Sequence, residues 1–336
     1  MTIVIRPRLT ILLTSVLLLT GVNLLVDAWS HRLFYYKKLE AIRLAQNPNL
    51  LFLGNSLLDH GVDELALLQA ARDGSLKPLD GALGGTRPPE HRLLFEYAVR
   101  THPGIRTLVV GIYDFQITES DRTEIADLNG NRMVGVERRF PLSEVASDYG
   151  FGPLDQLELE ALRWLPLVAN RDNAWQYVDR MRGLRCVMQL RQSMESMGML
   201  PASTNSVGSA YGLPALESAN LSEFDTNARA FIEHPDHFNT SYESIFNQAH
   251  GAGMKVVIVV MPMSPYHRAT FYVRPLWRSY VSLLADLAAR RNIRFIDGSD
   301  WAPLPEDFGD HVHMNSQGIH NFSIHMGDEL FKIAKQ

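Results

Sequence analysis

The sequence predicts an α/β domain of three layers: a five-stranded, mainly parallel sheet between helices, behind one N-terminal apolar helix and interrupted by a helical insertion. Three observations predict it. Short apolar runs recur at residues 50–53, 78–83, 107–112, 255–261 and 293–296, each too short for a helix and bounded by turn-forming residues. Most of these runs are separated by stretches with apolar residues at helical spacing, and such alternation yields parallel strands with helices on both faces. Finally, Leu9 to Val26 is a run of 18 residues without a charge, which as a helix rising ~1.5 Å per residue just crosses the apolar core of a bilayer.

Composition narrows the function classes. With 336 residues, 46% of them hydrophobic, the chain can bury a large core. A net charge of -5 with 21% charged residues does not provide the basic field that nucleic-acid binding requires, so no nucleic-acid partner is expected. Cys186 is the only cysteine, which excludes an intramolecular disulfide and a cysteine-built zinc site. No cofactor is expected.

Residues 1–28 read as a membrane anchor. Val26 and Ala28 also satisfy the small-residue pattern of a cleaved signal peptide, but the apolar region of such peptides usually spans about 7–15 residues, so the length favours a retained helix. Arg6 and Arg8 precede it while Arg32, Lys37, Lys38 and Arg43 follow, and counting these charges assigns no side of the membrane. Residues 29–49 read as a juxtamembrane helix, with aromatic and charged residues at helical spacing up to Gln46 and a break at Asn47-Pro48-Asn49,. Residues 50–336 form the main domain. Between about 118 and 237 the strand–helix rhythm is lost and Trp164, Trp175, Met181, Met188, Met194, Met197 and Met199 accumulate, marking a helical insertion whose 201–214 stretch reads as a long loop.

In such a sheet, functional residues follow the carboxyl ends of the strands. Leu51-Phe52-Leu53-Gly54-Asn55-Ser56 places a serine there. A hydroxyl is a poor nucleophile until an imidazole takes its proton and a third group orients that imidazole. Alone, Gly-Asn-Ser describes an ordinary strand-to-helix turn with a capping residue equally well. The missing roles lie near the other end, in Phe308-Gly309-Asp310-His311-Val312-His313-Met314-Asn315-Ser316-Gln317-Gly318. Asp310, three residues before His313, can accept from the imidazole nitrogen that faces away from the serine. The same stretch also reads as a polar loop with capping residues. After the second run, Gly84-Gly85-Thr86-Arg87-Pro88-Pro89-Glu90 is a turn into a helix, where free N–H groups and close approach to a ligand are expected. Gly111-Ile112-Tyr113-Asp114 ends the third run.

Gly54-Asn55-Ser56 resembles the Gly-Asp-Ser block of the SGNH hydrolase superfamily, and Asp310-His311-Val312-His313 resembles its Asp-x-x-His block. The order and separation of the blocks agree with that superfamily, and the five apolar runs match its five parallel strands. The resemblance spans residues 50–335 apart from the insertion. It implies a flavodoxin-like fold, Ser56 as nucleophile, His313 as proton shuttle and Asp310 as the group holding the imidazole. It also implies Gly85 as an oxyanion donor beside the nucleophile's own N–H. Two positions depart from the pattern. Asn55 replaces the aspartate beside the nucleophile, and Tyr113 replaces the asparagine of a Gly-x-Asn-Asp block. Losing one oxyanion donor costs about 100- to 1000-fold in rate, so the Tyr113 hydroxyl or another group must substitute, or catalysis is slow. Asp114 either contacts substrate or serves architecture.

With the membrane helix added, these blocks resemble the branch that includes DltD-like proteins and alginate-type O-acetyltransferases. That resemblance implies a domain outside the cytoplasmic membrane performing acyl transfer or ester hydrolysis on a cell-envelope polysaccharide or glycopolymer, with a membrane-bound O-acyltransferase as partner. Hydrolysis and transfer share one machinery, because water or a bound hydroxyl can resolve an acyl-enzyme. Trp164, Trp175 and Tyr177 are candidates for excluding water, and packing of the insertion's own core explains them as well. Arg171, Arg180, Arg182, Arg185 and Arg191 suit an anionic polymer or a solvated helix face. Two other readings stand beside this one. Asp310, His311 and His313 with His234-Pro235-Asp236-His237 contain adequate zinc ligands, and the departures at Asn55 and Tyr113 suit a catalytically silent scaffold of an envelope polysaccharide complex.

Overall fold

A computed structural model describes residues 5–59, 61–118, 151–170, 213–310 and 312–335. Helices α1 (Ile5–Ser30) and α2 (Phe34–Leu44) lead to β1 (Leu50–Leu53), followed by α3 (Glu64–Ala71), β2 (Pro78–Asp80), α4 (Pro88–Thr101) and β3 (Thr107–Ile112). The region expected as an insertion contributes α5 (Pro153–Trp164), α6 (Pro166–Ala169) and α7 (Leu213–Glu233). Then come α8 (Thr240–Gly251), β4 (Lys255–Val260), α9 (Pro275–Arg290), β5 (Arg294–Asp297) and α10 (Ser316–Ala334). Trp175, Tyr177, Cys186, the arginines at 171, 180, 182, 185 and 191, and the methionines from 181 to 199 lie outside the described residues, as does most of the 201–214 stretch.

The five strands are parallel, in the order β2-β1-β3-β4-β5. All of β1 is buried, as are Leu108 to Ile112 in β3 and Val256 to Val260 in β4. Strands with no polar face must be covered on both sides, so they take the centre. The short β2 and β5, with partly exposed residues, take the edges. The expected run at 78–83 is a strand only to Asp80. Beyond it the chain turns while still hugging β1, with Gly81 N–H on the Phe52 carbonyl at 2.8 Å and Leu83 N–H on the Gly54 carbonyl at 3.0 Å.

Stepping from β1 out to β2 and back over β1 to β3, right-handed crossovers put α3 and α4 on opposite faces. α10 packs on α3, whereas α2 and α8 pack on α4, completing three layers. At Gly327 the α3 and α10 backbones approach so closely that a Cβ would run into the Leu67 carbonyl and the Ala70 methyl.

The two N-terminal helices behave differently. The continuous juxtamembrane helix expected from residue 29 breaks at 31–33, where Leu33 is extended, and resumes as α2. α2 is part of the domain, with Leu39 and Ile42 buried in the main core. Most of α1 is exposed, and its Leu9–Ser30 segment is long and apolar enough to cross a membrane. Asn23 within it accepts from Leu167 N–H at 3.1 Å and thereby docks α6 against α1.

Candidate active site

Between β1 and β3 the winding of the sheet reverses, and the carboxyl ends of those strands frame the crevice where such sheets bind ligands. Ser56 lies three residues beyond β1. The Asn55 carbonyl accepts from Leu58 and Asp59 N–H at 3.1 and 2.9 Å, and its side-chain Oδ1 accepts from Leu57 N–H at 3.0 Å. This side-chain turn folds residues 55–59 away from the strand direction. The buried Asn55 acts as an acceptor, a role an amide oxygen fills as an aspartate would, without burying another charge beside Asp59,.

The partner loop hangs on Asp307, which is fully buried. Its Oδ2 accepts from Leu304 N–H at 3.0 Å, its Oδ1 from the Asn321 amide at 3.2 Å, and its carbonyl from Asn315 N–H at 2.9 Å. Phe308 and Met314 then pair as an antiparallel bridge, closing a tight loop around Asp310 and His313. Asp310 Oδ1 accepts from the backbone N–H groups of Val312 and His313 at 2.9 and 2.7 Å. Asp310 Oδ2 lies 2.8 Å from His313 Nδ1, and His313 Nε2 lies 3.0 Å from Ser56 Oγ. A carboxylate on Nδ1 selects the tautomer with its proton there, which leaves Nε2 as the acceptor facing the serine hydroxyl. Partial burial is the largest influence on the Asp310 carboxyl and raises it. The N–H groups of His313 and Val312, then the imidazole, together outweigh it and hold the carboxyl below its ordinary range. The His313 and Asp310 side chains are 45% and 43% exposed, so a substrate can reach them. His311 lies outside the described residues.

The loop after β2 supplies backbone donors. The N–H groups of Gly81, Ala82, Leu83 and Gly84 are all engaged, on the Phe52 carbonyl, Asp80 Oδ1, the Gly54 carbonyl and Asp59 Oδ2. Gly85 follows at φ 74°, a conformation that costs a residue with a side chain,. Among the described residues the N–H groups of Gly85 and Ser56 have no hydrogen-bond partner, which leaves them open to a ligand oxygen. The two segments are adjacent, since a Cβ on Gly84 would sit 3.6 Å from Ser56 Cβ.

Asp114 enters a different cluster. Held at φ 43°, it accepts on Oδ1 from the Tyr272 hydroxyl at 2.9 Å and pairs with His267 Nε2 at 3.0 Å. Burial, and after it the Asp114 charge, push the Tyr272 hydroxyl well above its ordinary range, so it stays a donor. Here Asp114 ties the β3 end to the segment after β4. Tyr113 packs half-buried against the core. Trp164 is exposed, its indole N–H on Glu160 at 3.0 Å. Among the described residues no three His, Cys, Asp or Glu side chains gather as a metal site, and His237 pairs with neighbouring Asp236 at 2.7 Å.

Three residues of this region carry no motif. Lys38 reads in the sequence as one more charge flanking the anchor, and His91 as a helix residue. Asp59 lies three positions after Ser56, which is the one signal that would have flagged it.

No protein-family model and no curated protein matches the chain. Among solved structures it is similar to a proposed acylhydrolase from Bacteroides fragilis, at 11% identity, a TM-score of 0.40 and coverage of 90% of this chain and 97% of that one. It is likewise similar to a GDSL-like lipase from Bacteroides thetaiotaomicron, at 11% identity, a TM-score of 0.39 and coverage of 90% and 98%. An extracellular lipase from Streptomyces rimosus aligns at 10% identity with a TM-score of 0.38, over 84% of this chain and 99% of that one.

Proposed function

We propose that the protein carries out serine-dependent acyl chemistry, with Ser56 as nucleophile, His313 as general base and acid, and Asp310 as the group that orients the imidazole. The observation that carries this reading is the continuous hydrogen-bonded line from Ser56 Oγ through His313 to Asp310, with gaps of 3.0 and 2.8 Å. In the first half-reaction Ser56 Oγ attacks an ester carbonyl carbon as its proton passes to His313 Nε2. The resulting oxyanion meets the N–H groups of Ser56 and Gly85. Collapse of the tetrahedral intermediate breaks the bond to the alcohol oxygen, which takes the proton back from His313 and leaves an acyl-serine. Water or an acceptor hydroxyl then attacks the acyl carbon as its proton passes to His313 Nε2; collapse breaks the bond to Ser56 Oγ, which takes that proton back, and a free acid or a new ester leaves.

For the substrate we infer a cell-envelope polysaccharide or glycopolymer. This rests on the resemblance of the blocks and the preceding apolar helix to SGNH proteins of the DltD-like and alginate O-acetyltransferase branch. On the same ground the domain faces the periplasm or cell exterior from the cytoplasmic membrane, with a membrane-bound O-acyltransferase as acyl supplier.

The test is release of p-nitrophenol from p-nitrophenyl acetate by the native chain, Ser56→Ala and His313→Ala. Each substitution is expected to lower kcat by about 1000-fold or more, because residues that act as a unit fail together. Equal rates in all three would remove the serine mechanism and leave the silent scaffold. Faster turnover with an added oligosaccharide, together with acylated sugar as product, would identify a transferase.

A further inference from the structure

We propose that Lys38, on the helix beside the apolar anchor, is a positioning residue of the active site. It acts through Asp59 and Asp80 on the loop that presents Gly85. The inference rests on the serine reading above.

Lys38 Nζ lies 2.9 Å from Asp59 Oδ1 and 2.7 Å from Asp80 Oδ2. The Lys38 and Asp59 side chains are only 6% and 7% exposed. A cation so placed is held by its partners, and their closeness to each other depends on it. Each carboxylate uses its other oxygen on the loop after β2. Asp80 Oδ1 accepts from Ala82 N–H and Asp59 Oδ2 from Gly84 N–H, both at 3.0 Å. One ammonium group therefore clamps two carboxylates that grip alternate amides of one loop.

The grip ends one residue before the N–H that matters. Asp59 belongs to the same turn as Ser56, and its bond to Gly84 joins the nucleophile's turn to the glycine loop. Gly85 N–H is the first in the loop without a partner among the described residues. An oxyanion donor works only at hydrogen-bond distance from the charge that develops, so a small shift of Gly84 relative to Ser56 weakens the transition state more than the bound ester. Removing the charge of Lys38 leaves two carboxylates facing each other, and their separation pulls on Gly84.

The experiment compares the full-length native chain with Lys38→Met, Lys38→Arg, Asp59→Asn and Ser56→Ala. It measures kcat and KM on p-nitrophenyl acetate, the rate of fluorophosphonate labelling of Ser56, and thermal unfolding. Lys38→Met is expected to lower kcat and the labelling rate about 10- to 100-fold, a part of what loss of one donor costs, with KM within about twofold. Lys38→Arg, which keeps a cation between the carboxylates, is expected to restore most of the rate. If Lys38→Met fails to fold, Asp59→Asn keeps the side-chain shape without the charge and is expected to show the same split. Native kcat in a folded Lys38→Met or Asp59→Asn chain would overturn the proposal, as would a loss of rate that only follows the unfolded fraction. A native rate equal to that of Ser56→Ala would instead defeat the serine reading itself.

Discussion

His91 is fully buried between Thr86 and Tyr242, one residue past the glycine turn on one side and one helix away on the other. Thr86 Oγ1 donates its single proton to the Leu83 carbonyl at 2.5 Å. It must therefore accept from His91 Nε2 at 2.9 Å, which leaves His91 Nδ1 to accept the Tyr242 hydroxyl at 2.7 Å,. The bond from Tyr242 needs the neutral ring, since Nδ1 accepts only with its lone pair free, and burial brings the imidazole down from 6.5 to about 3. Because the folded value lies below the unfolded one, the unfolded chain takes up a proton that the native chain refuses. This contribution is whole above pH 6.5 and is lost as pH falls towards about 3, by up to about 1.4 kcal/mol per pH unit. The urea midpoint is thus expected to hold steady from pH 8 to 7 and to fall between pH 6 and 4. That window lies above the one set by depressed carboxyls such as Asp310 and Asp63, whose contributions fade only as pH drops through their own lowered values. His91→Gln is expected to flatten the slope between pH 6 and 4; an unchanged slope would show that the ring is not held neutral.

At the scale of elements, α2 shows the distance between a helix and its job. Its spacing identifies a helix in the sequence, and its position after an apolar run suggests a tether. Leu39 and Ile42 bury fully or nearly so in the main core, each worth about 1.5–3 kcal/mol on removal from water. A chain beginning at residue 34 is expected to fold and to match the full-length chain on p-nitrophenyl acetate. One beginning at residue 50 is expected to lose several kcal/mol and most of its helical signal, as circular dichroism melts would measure. Comparable melts would make α2 a tether after all. The same gap between type and role appears in the strands. The apolar runs locate β1, β3 and β4 closely because both faces of those strands are covered, whereas the second run overshoots β2, since a turn that hugs its neighbour is as apolar as a strand.

For the whole molecule, the exposed Leu9–Ser30 segment stands apart from the α/β/α body. The chain is expected to stay in the membrane fraction through alkaline carbonate extraction, and deletion of residues 5–30 is expected to release it. Release of the intact chain by carbonate would rule out a spanning helix. Lys38, on the helix that follows this segment, reaches the glycine loop through Asp59 and Asp80.

By itself the sequence determined the apolar strands, the parallel alternation and the Asp310–His313 spacing, while Ser56 joined that pair only through the resemblance of its block. The first three follow from local rules: buried strands must be apolar along their whole length, and a short block in a closing loop carries its own spacing. It did not determine which N–H in the glycine loop stays free, why Asn55 suffices beside the serine, or that Asp114 turns to His267 and Tyr272. Those depend on hydrogen bonds between segments far apart in the chain, such as Lys38 with Asp59 and Asp80. A side chain's partner across such a separation is set only when the layers close around it.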